Sequence, residues 1–195
     1  MDCIEVKDYK GLVTNANIYG MKNAIRVSKF PMSVDPNDCD SLITDGVNNR
    51  GKCEAGTGHN NFLLGIVVQF DLAFTIKEWT EAERYHFFDI ISSQSTMHRI
   101  SRMNIKEACN EYVSSEIIEI VERLVCKYNK TKDKEDYLTL LYNVPVGLKL
   151  TAGITTNYLQ LKTIYRQRHD HRLPAWRNFC EWLKTLPHSE WITGE

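Results

Sequence analysis

The run NFLLGIVVQFDLAFT, Asn61 to Thr75, limits the fold more than any other stretch of the chain. Val67, Gln69, Asp71 and Ala73 alternate with Val68, Phe70, Leu72 and Phe74, so every second residue builds a strongly apolar face. A strand of that kind belongs in a sheet with something covering its apolar side. Directly after it, Thr75-Ile-Lys-Glu78 has the form of a capping box. The spacing predicts a helix from there to about Ile91, with Trp79, Ala82, Phe87, Ile90 and Ile91 as its buried stripe.

The next stretch, Ser92 to Met103, reads as a compact polar connection. A second helix follows, started by Asn104-x-x-Glu107 and carrying Ala108, Tyr112, Ile117, Ile120, Val121 and Leu124 on one face through Cys126. Lys127 to Asp136 reads as a charged surface connection, and Asp136 to Tyr142 as a short helix ending before Pro145. Val146 to Leu150 has strand character, and Gly153 interrupts the run towards Ile154. A late helix begins at Thr155, and a last one spans Ala175 to Leu186, with Pro174 suited to its first turn and Pro187 ending it. Residues 1–60 read as irregular, and Asp35 to Gly58 is the most loop-like span, rich in Asp, Asn and Gly. Its end, Gly56-Thr57-Gly58-His59, allows close approach of the backbone to a ligand or is a plain turn. With 195 residues and no internal repeat, the expectation is one domain over 1–195, in which 61–186 form the strand-and-helix core.

Charge narrows the function. The formal net charge is only -1, which argues against a protein that coats nucleic acid or membrane non-specifically. No apolar run reaches membrane-spanning length. The six cysteines form no C-x-x-C pair and the opening MDCIEVKDYK has no apolar signal core, so free thiols in a cytoplasmic protein are expected.

Against that balance, Thr155 to Trp176 gathers Lys162, Arg166, Arg168, His169, His171 and Arg172. Guanidinium forks grip planar anions and phosphates in a bidentate way. The stretch therefore reads as half of an anion site for a nucleotide, or as a solvated basic face with salt bridges. A second cluster, Gln94 to Arg99, sets His98 beside Arg99 in a loop between two helices. There an arginine and a histidine hold an anion or a ring edge, or Arg99 pairs with a surface carboxylate while Asn104 merely caps a helix. His169-Asp170-His171 lacks a third ligand, so no metal is expected. Cys109 and Cys126 read as small thiols on a periodic helix. Trp176, Trp182 and Trp191, with Phe179, stack a base or belong to the core or a subunit contact. No residue is singled out as catalytic.

The order Gly58-His59, apolar strand, helix, Gln94-x-x-x-His98-Arg99, helix, Arg-rich helix resembles the flavin-dependent thymidylate synthases. In that family a Gly-His is followed by Gln-x-x-Arg-His-Arg-x-x-Ser-x-Asn-Glu. Gln94, His98, Arg99 and Asn104 fall on its spacing, Asn157 begins the late helix, Arg166 or Arg168 stands for a pocket arginine, and Arg177 for a closing one. The resemblance implies an α+β fold, a mostly antiparallel sheet covered by helices. It also implies a homotetramer with ligand sites between subunits, where His98 and Arg99 of one chain meet Arg166, Arg168 and Arg177 of another. With Lys162, His171 and Arg172 added from the basic stretch itself, the ligand set is His59, Gln94, His98, Arg99, Asn157, Lys162, Arg166, Arg168, His171, Arg172 and Arg177.

The departures bear on activity. Met97 stands at the motif's first arginine, Arg102 at its serine, Ile105 at its glutamate, and Arg172-Leu173 at a later Ala-Gln pair. Methionine donates no charged hydrogen bond. The expectation is therefore a nucleotide-binding protein without cofactor or catalysis, sequestering a nucleotide-derived signal as some virus-encoded proteins do against host defence. The alternative is an active flavoenzyme that holds FAD and modifies a dUMP-like nucleotide. A small interaction module is a third reading, if the arginines are paired with carboxylates.

Overall fold

The computed structural model describes residues 3–195. Its centre is a five-stranded sheet in the order β1 (Cys3–Val6), β2 (Val13–Tyr19), β3 (Val67–Thr75), β5 (Lys149–Asn157), β4 (Phe88–Ser93). β1 pairs antiparallel with β2, and β2 antiparallel with β3. Asn15 breaks the second ladder: its φ of 54° is a left-handed conformation that asparagine tolerates. The bulged residue is held by its amide Nδ2 donating to Asp71 Oδ2 at 2.8 Å and its backbone N–H donating to Asp8 Oδ1 at 3.0 Å.

The chain divides into two compact units. One comprises the residues up to Leu72, 85–91 and 153–195; the other comprises 73–84 and 92–152.

In the first unit the apolar face of β3 behaves as its alternation predicts: Val68, Phe70 and Leu72 are buried. Phe70 meets Trp182 at 4.9 Å and Phe179 at 5.8 Å between ring centroids. Trp176, Trp182 and Trp191 are wholly buried, so these rings are core and none offers a face to a base. They come from α9 (Pro174–Leu183) and α10 (Glu190–Thr193), which pack with α8 (Tyr158–Arg168). Residues 3–60 are more regular than expected, holding β1, β2, α1 (Met21–Val27) and α2 (Asp45–Lys52). α2 lies inside the supposed loop because Thr44 caps it, its Oγ1 accepting from the Val47 N–H at 3.4 Å.

In the second unit the capping box forms with both halves, Thr75 and Glu78, and opens α3 (Ile76–Ala82). The helix does not reach Ile91, because the segment after Glu83 turns and becomes β4. Phe87, Ile90 and Ile91 are exposed there rather than in a helical stripe. The expected helix over 104–126 is two helices, α5 (Ile105–Ala108) and α6 (Ser115–Thr131), preceded by the single turn α4 (Thr96–Arg99). The break follows from a close backbone approach: Cys109 bridges to Leu148, and the Asn110 N–H donates to the Gly147 carbonyl at 2.9 Å. Only glycine fits at 147, since a Cβ would stand 2.4 Å from Val113 Cγ2 and 2.8 Å from Asn110 Oδ1. Ile100, Ile105, Cys109, Val121, Leu140 and Leu148 form this unit's core, with α7 (Lys134–Tyr142) packed on α6. Tyr112, Ile117 and Ile120, assigned to a buried face by their spacing, are exposed. Gly153 does not interrupt β5, and α8 starts at Tyr158 rather than Thr155.

Candidate functional site

In the second unit, Ser93, Gln94, Ser95, His98, Arg99, Arg102 and Met103 line a cavity of about 440 Å³. The segment is pinned from several sides. Gln94 pairs with Thr151 twice: its backbone N–H donates to the Thr151 carbonyl at 2.9 Å, and its Oε1 accepts from the Thr151 N–H at 2.9 Å. The Tyr137 hydroxyl donates to the Met97 carbonyl. Asn129 Nδ2 donates to the Ser101 carbonyl at 2.8 Å, and Ile100 is buried. His98 Nδ1 lies 3.0 Å from Ser95 Oγ.

Between these anchors Arg99 and Arg102 stay exposed, and among the described residues neither pairs with a carboxylate. Two guanidiniums and an imidazole around one concavity, with serine hydroxyls beside them, are donors of the kind that suit an anion with several oxygens. Arg102 stands where the family pattern has a serine. Its three-residue spacing from Arg99 is the signal that sets the two on one side of a helical turn. Asn104 caps α5, its Oδ1 accepting from the Glu107 N–H at 3.3 Å.

The Arg-rich stretch lies in the first unit and is not one uniform basic face. Lys162 is buried, 7% exposed, and its ammonium donates to the carbonyls of Gly51 at 2.8 Å and Trp191 at 2.9 Å. Burial lowers its pKa. This corrects its assignment to the ligand set: the amine is tied inside the core. Arg168 donates through Nε to the Tyr85 hydroxyl at 2.7 Å, lies over the Trp176 ring at 4.8 Å, and has Nη1 2.8 Å from His171 Nε2. Arg177 donates to the His171 carbonyl and, at 2.9 Å, to that of Arg172, which ties the turn between α8 and α9. Arg166 and Arg172 are exposed. Asn157 is the N-cap of α8, accepting from the Gln160 N–H at 2.9 Å.

The structure thus gathers Gln94, His98 and Arg99 at one cavity, and Arg168, His171, Arg172 and Arg177 around the α8–α9 turn. His59 lines a separate cavity in the first unit. His169 packs edge-on against Tyr165 at 5.4 Å. Among the described residues no group of three or more His, Cys, Asp or Glu side chains is placed to hold a metal ion. Nor, among the described residues, is any helix long and apolar enough to cross a membrane.

Sheet and helices together define an α+β protein with the fold of the flavin-dependent thymidylate synthases. The chain matches ThyX from Helicobacter pylori, complexed with FAD and dUMP, at a TM-score of 0.69 and 14% identity, covering 100% of this chain and 98% of that one. A second structure of the Helicobacter pylori protein with FAD and dUMP matches at 0.70 and 14% identity, covering 91% and 94%. The UMP/dUMP methylase PolB from Streptomyces cacaoi, bound with 5-Br dUMP, matches at 0.60 and 11% identity, covering 98% and 94%. By sequence, no family model and no curated protein matches the chain.

Proposed function

We propose that the chain binds a nucleotide, and that Arg99 and Arg102 receive its phosphate. The observation that carries this reading is two guanidiniums without carboxylate partners on one cavity of about 440 Å³. The fold supports it, because the solved structures that share the fold were obtained with dUMP or a bromo analogue of it. His98, Ser93 and Ser95 supply further donors, and Gln94 keeps its amide NH2 for a polar edge of the ligand.

Two uses of such a site follow. Flavin-dependent chemistry on a pyrimidine nucleotide is favoured by the match to structures holding FAD over nearly the whole chain. When bound, FAD would supply redox chemistry, while Arg99 and Arg102 keep the phosphate of the nucleotide. Met97 supplies no such donor, and its exposed side chain at the motif's first arginine position favours the other use, sequestration of a nucleotide without chemistry. Assembly as a homo-oligomer, with the α8–α9 arginines completing the site from a second copy, belongs to this proposal in either case.

Calorimetry with dUMP and deoxyuridine tests the binding. dUMP is expected to bind more tightly than the nucleoside by at least about tenfold, and Arg99→Gln with Arg102→Gln to remove that difference. Equal binding of both ligands, or no binding of any nucleotide in a panel, overturns the reading. A flavin spectrum in the purified protein, or uptake of added FAD, selects the enzymatic use; a colourless protein that takes up no flavin selects sequestration.

A further inference from the structure

Arg99 and Arg102 stand on two helical turns too short to hold their own shape. α4 is a single turn of four residues, and Ile100–Arg102 adds one 3₁₀ turn of three. A helix of one turn leaves its last carbonyls without partners inside the helix, and its nucleation cost is not repaid by length. Ile100 is buried and plugs the segment into the core of the second unit. One anchored side chain fixes a position, but not the direction in which the flanking arginines leave the backbone.

Side chains of α6 and α7 supply the missing constraint. The Tyr137 hydroxyl donates to the Met97 carbonyl, just ahead of Arg99, and Asn129 Nδ2 donates at 2.8 Å to the Ser101 carbonyl, next to Arg102. The Asn129 amide has one possible orientation. The Lys132 ammonium, which only donates, takes Oδ1 at 2.9 Å and leaves Nδ2 for Ser101. Lys132 Nζ lies 5.0 Å from the centroid of the Tyr128 ring, and that ring meets the Tyr137 ring at 5.1 Å, so both donors belong to one packed support. The turn from α6 to α7 is itself closed by Lys127 on Asp136 at 2.6 Å and by Thr131 Oγ1 donating to Asp136 Oδ2 at 2.7 Å. Neither Tyr137 nor Asn129 lines the cavity.

We infer that Tyr137 and Asn129 are positioning residues for the anion site: from outside the cavity they align Arg99 and Arg102 on a phosphate. The inference rests on the nucleotide-binding reading. By occupying the Met97 and Ser101 carbonyls, the two donors also keep those oxygens from drawing in the arginine N–H groups, which a phosphate needs. A nucleoside has no phosphate and makes no use of the alignment. Tyr137 and Asn129 therefore raise affinity for the nucleotide selectively.

Calorimetry with dUMP and deoxyuridine on the full-length chain and on Tyr137→Phe and Asn129→Leu tests it. Phenylalanine keeps the ring against Tyr128, and Asn129 is exposed on α6, so both variants should fold, which an unchanged urea midpoint verifies. Each is expected to lose at least about threefold in dUMP affinity while deoxyuridine affinity stays the same. Added to the Arg99→Gln, Arg102→Gln protein, the same substitutions are expected to change nothing, because no guanidinium is left to align. Two results overturn this inference and leave nucleotide binding standing. One is a wild type that prefers dUMP alongside a folded variant that binds dUMP equally well; should only one variant fold, that one decides. The other is an equal loss for both ligands, or with and without the arginines, which marks a merely structural role. A wild type with no preference for dUMP overturns the nucleotide reading and this inference together.

Discussion

Replacing Lys162 by methionine separates a structural cation from the ligand-binding ones. The ammonium makes two charge-assisted hydrogen bonds, to the carbonyls of Gly51 and Trp191, each of which contributes roughly 1.5–3 kcal/mol. Methionine keeps most of the packing volume but leaves both carbonyls without that donor, which costs about 1–3 kcal/mol apiece. It also removes the desolvation of a buried charge, worth several kcal/mol in the opposite direction. The balance is a net loss of about 1–3 kcal/mol, read from urea unfolding as a lower midpoint with an unchanged slope. The pH dependence has a definite sign. Burial lowers the folded pKa of Lys162 below its ordinary 10.5, so between the two values the unfolded chain binds more protons than the folded one. Its contribution to stability is therefore greatest above 10.5 and falls as pH drops through the lowered folded value. The gap between wild type and Lys162→Met should widen as pH rises through that window, while nucleotide affinity stays the same. A gap that is flat or narrows, or an affinity that drops with the substitution, refutes the reasoning.

Gly147→Ala should destabilise the chain by about 1–3 kcal/mol in the same unfolding assay, because the new Cβ meets Val113 and the Asn110 side chain. Cysteine reactivity should split by burial under native conditions. Cys3 and Cys126 are exposed and should react readily with a thiol reagent, while Cys109 and Cys180 react only on unfolding. Burial pushes the Cys180 thiol up to about 12, so raising the pH of the reaction to 9 should leave it protected. Asn104→Ala should cost about 1 kcal/mol through loss of the α5 cap.

What the sequence made legible was local. The alternation of Val68, Phe70 and Leu72 and the Thr75–Glu78 box each specify their own structure within a few residues, and both are present. β4 was missed because Phe87, Ile90 and Ile91 happen to fall three and four apart, the spacing of a helical stripe; on a strand with only Phe88 buried no alternation marks them. The break at Cys109 depends on Gly147 and Leu148, nearly forty positions away, which no window along the chain can register. Lys162 did carry a signal. It falls in register with Tyr158, Leu161 and Tyr165, the buried stripe of α8, and grouping cations by proximity alone put it on the wrong side. The cluster of Gln94, His98 and Arg99 was visible because a short polar segment supplies all three, whereas Arg102 was read through a family pattern instead of its own geometry.

The central claim is that Arg99 and Arg102 receive a phosphorylated ligand in the cavity between Ser93 and Met103. Hydrogen–deuterium exchange with and without dUMP tests it where it lives. The account predicts slower exchange of peptides covering 93–103 when dUMP is present, a response absent with deoxyuridine and lost in the Arg99→Gln, Arg102→Gln protein. Protection confined to other segments, or identical protection by nucleoside and nucleotide, contradicts it.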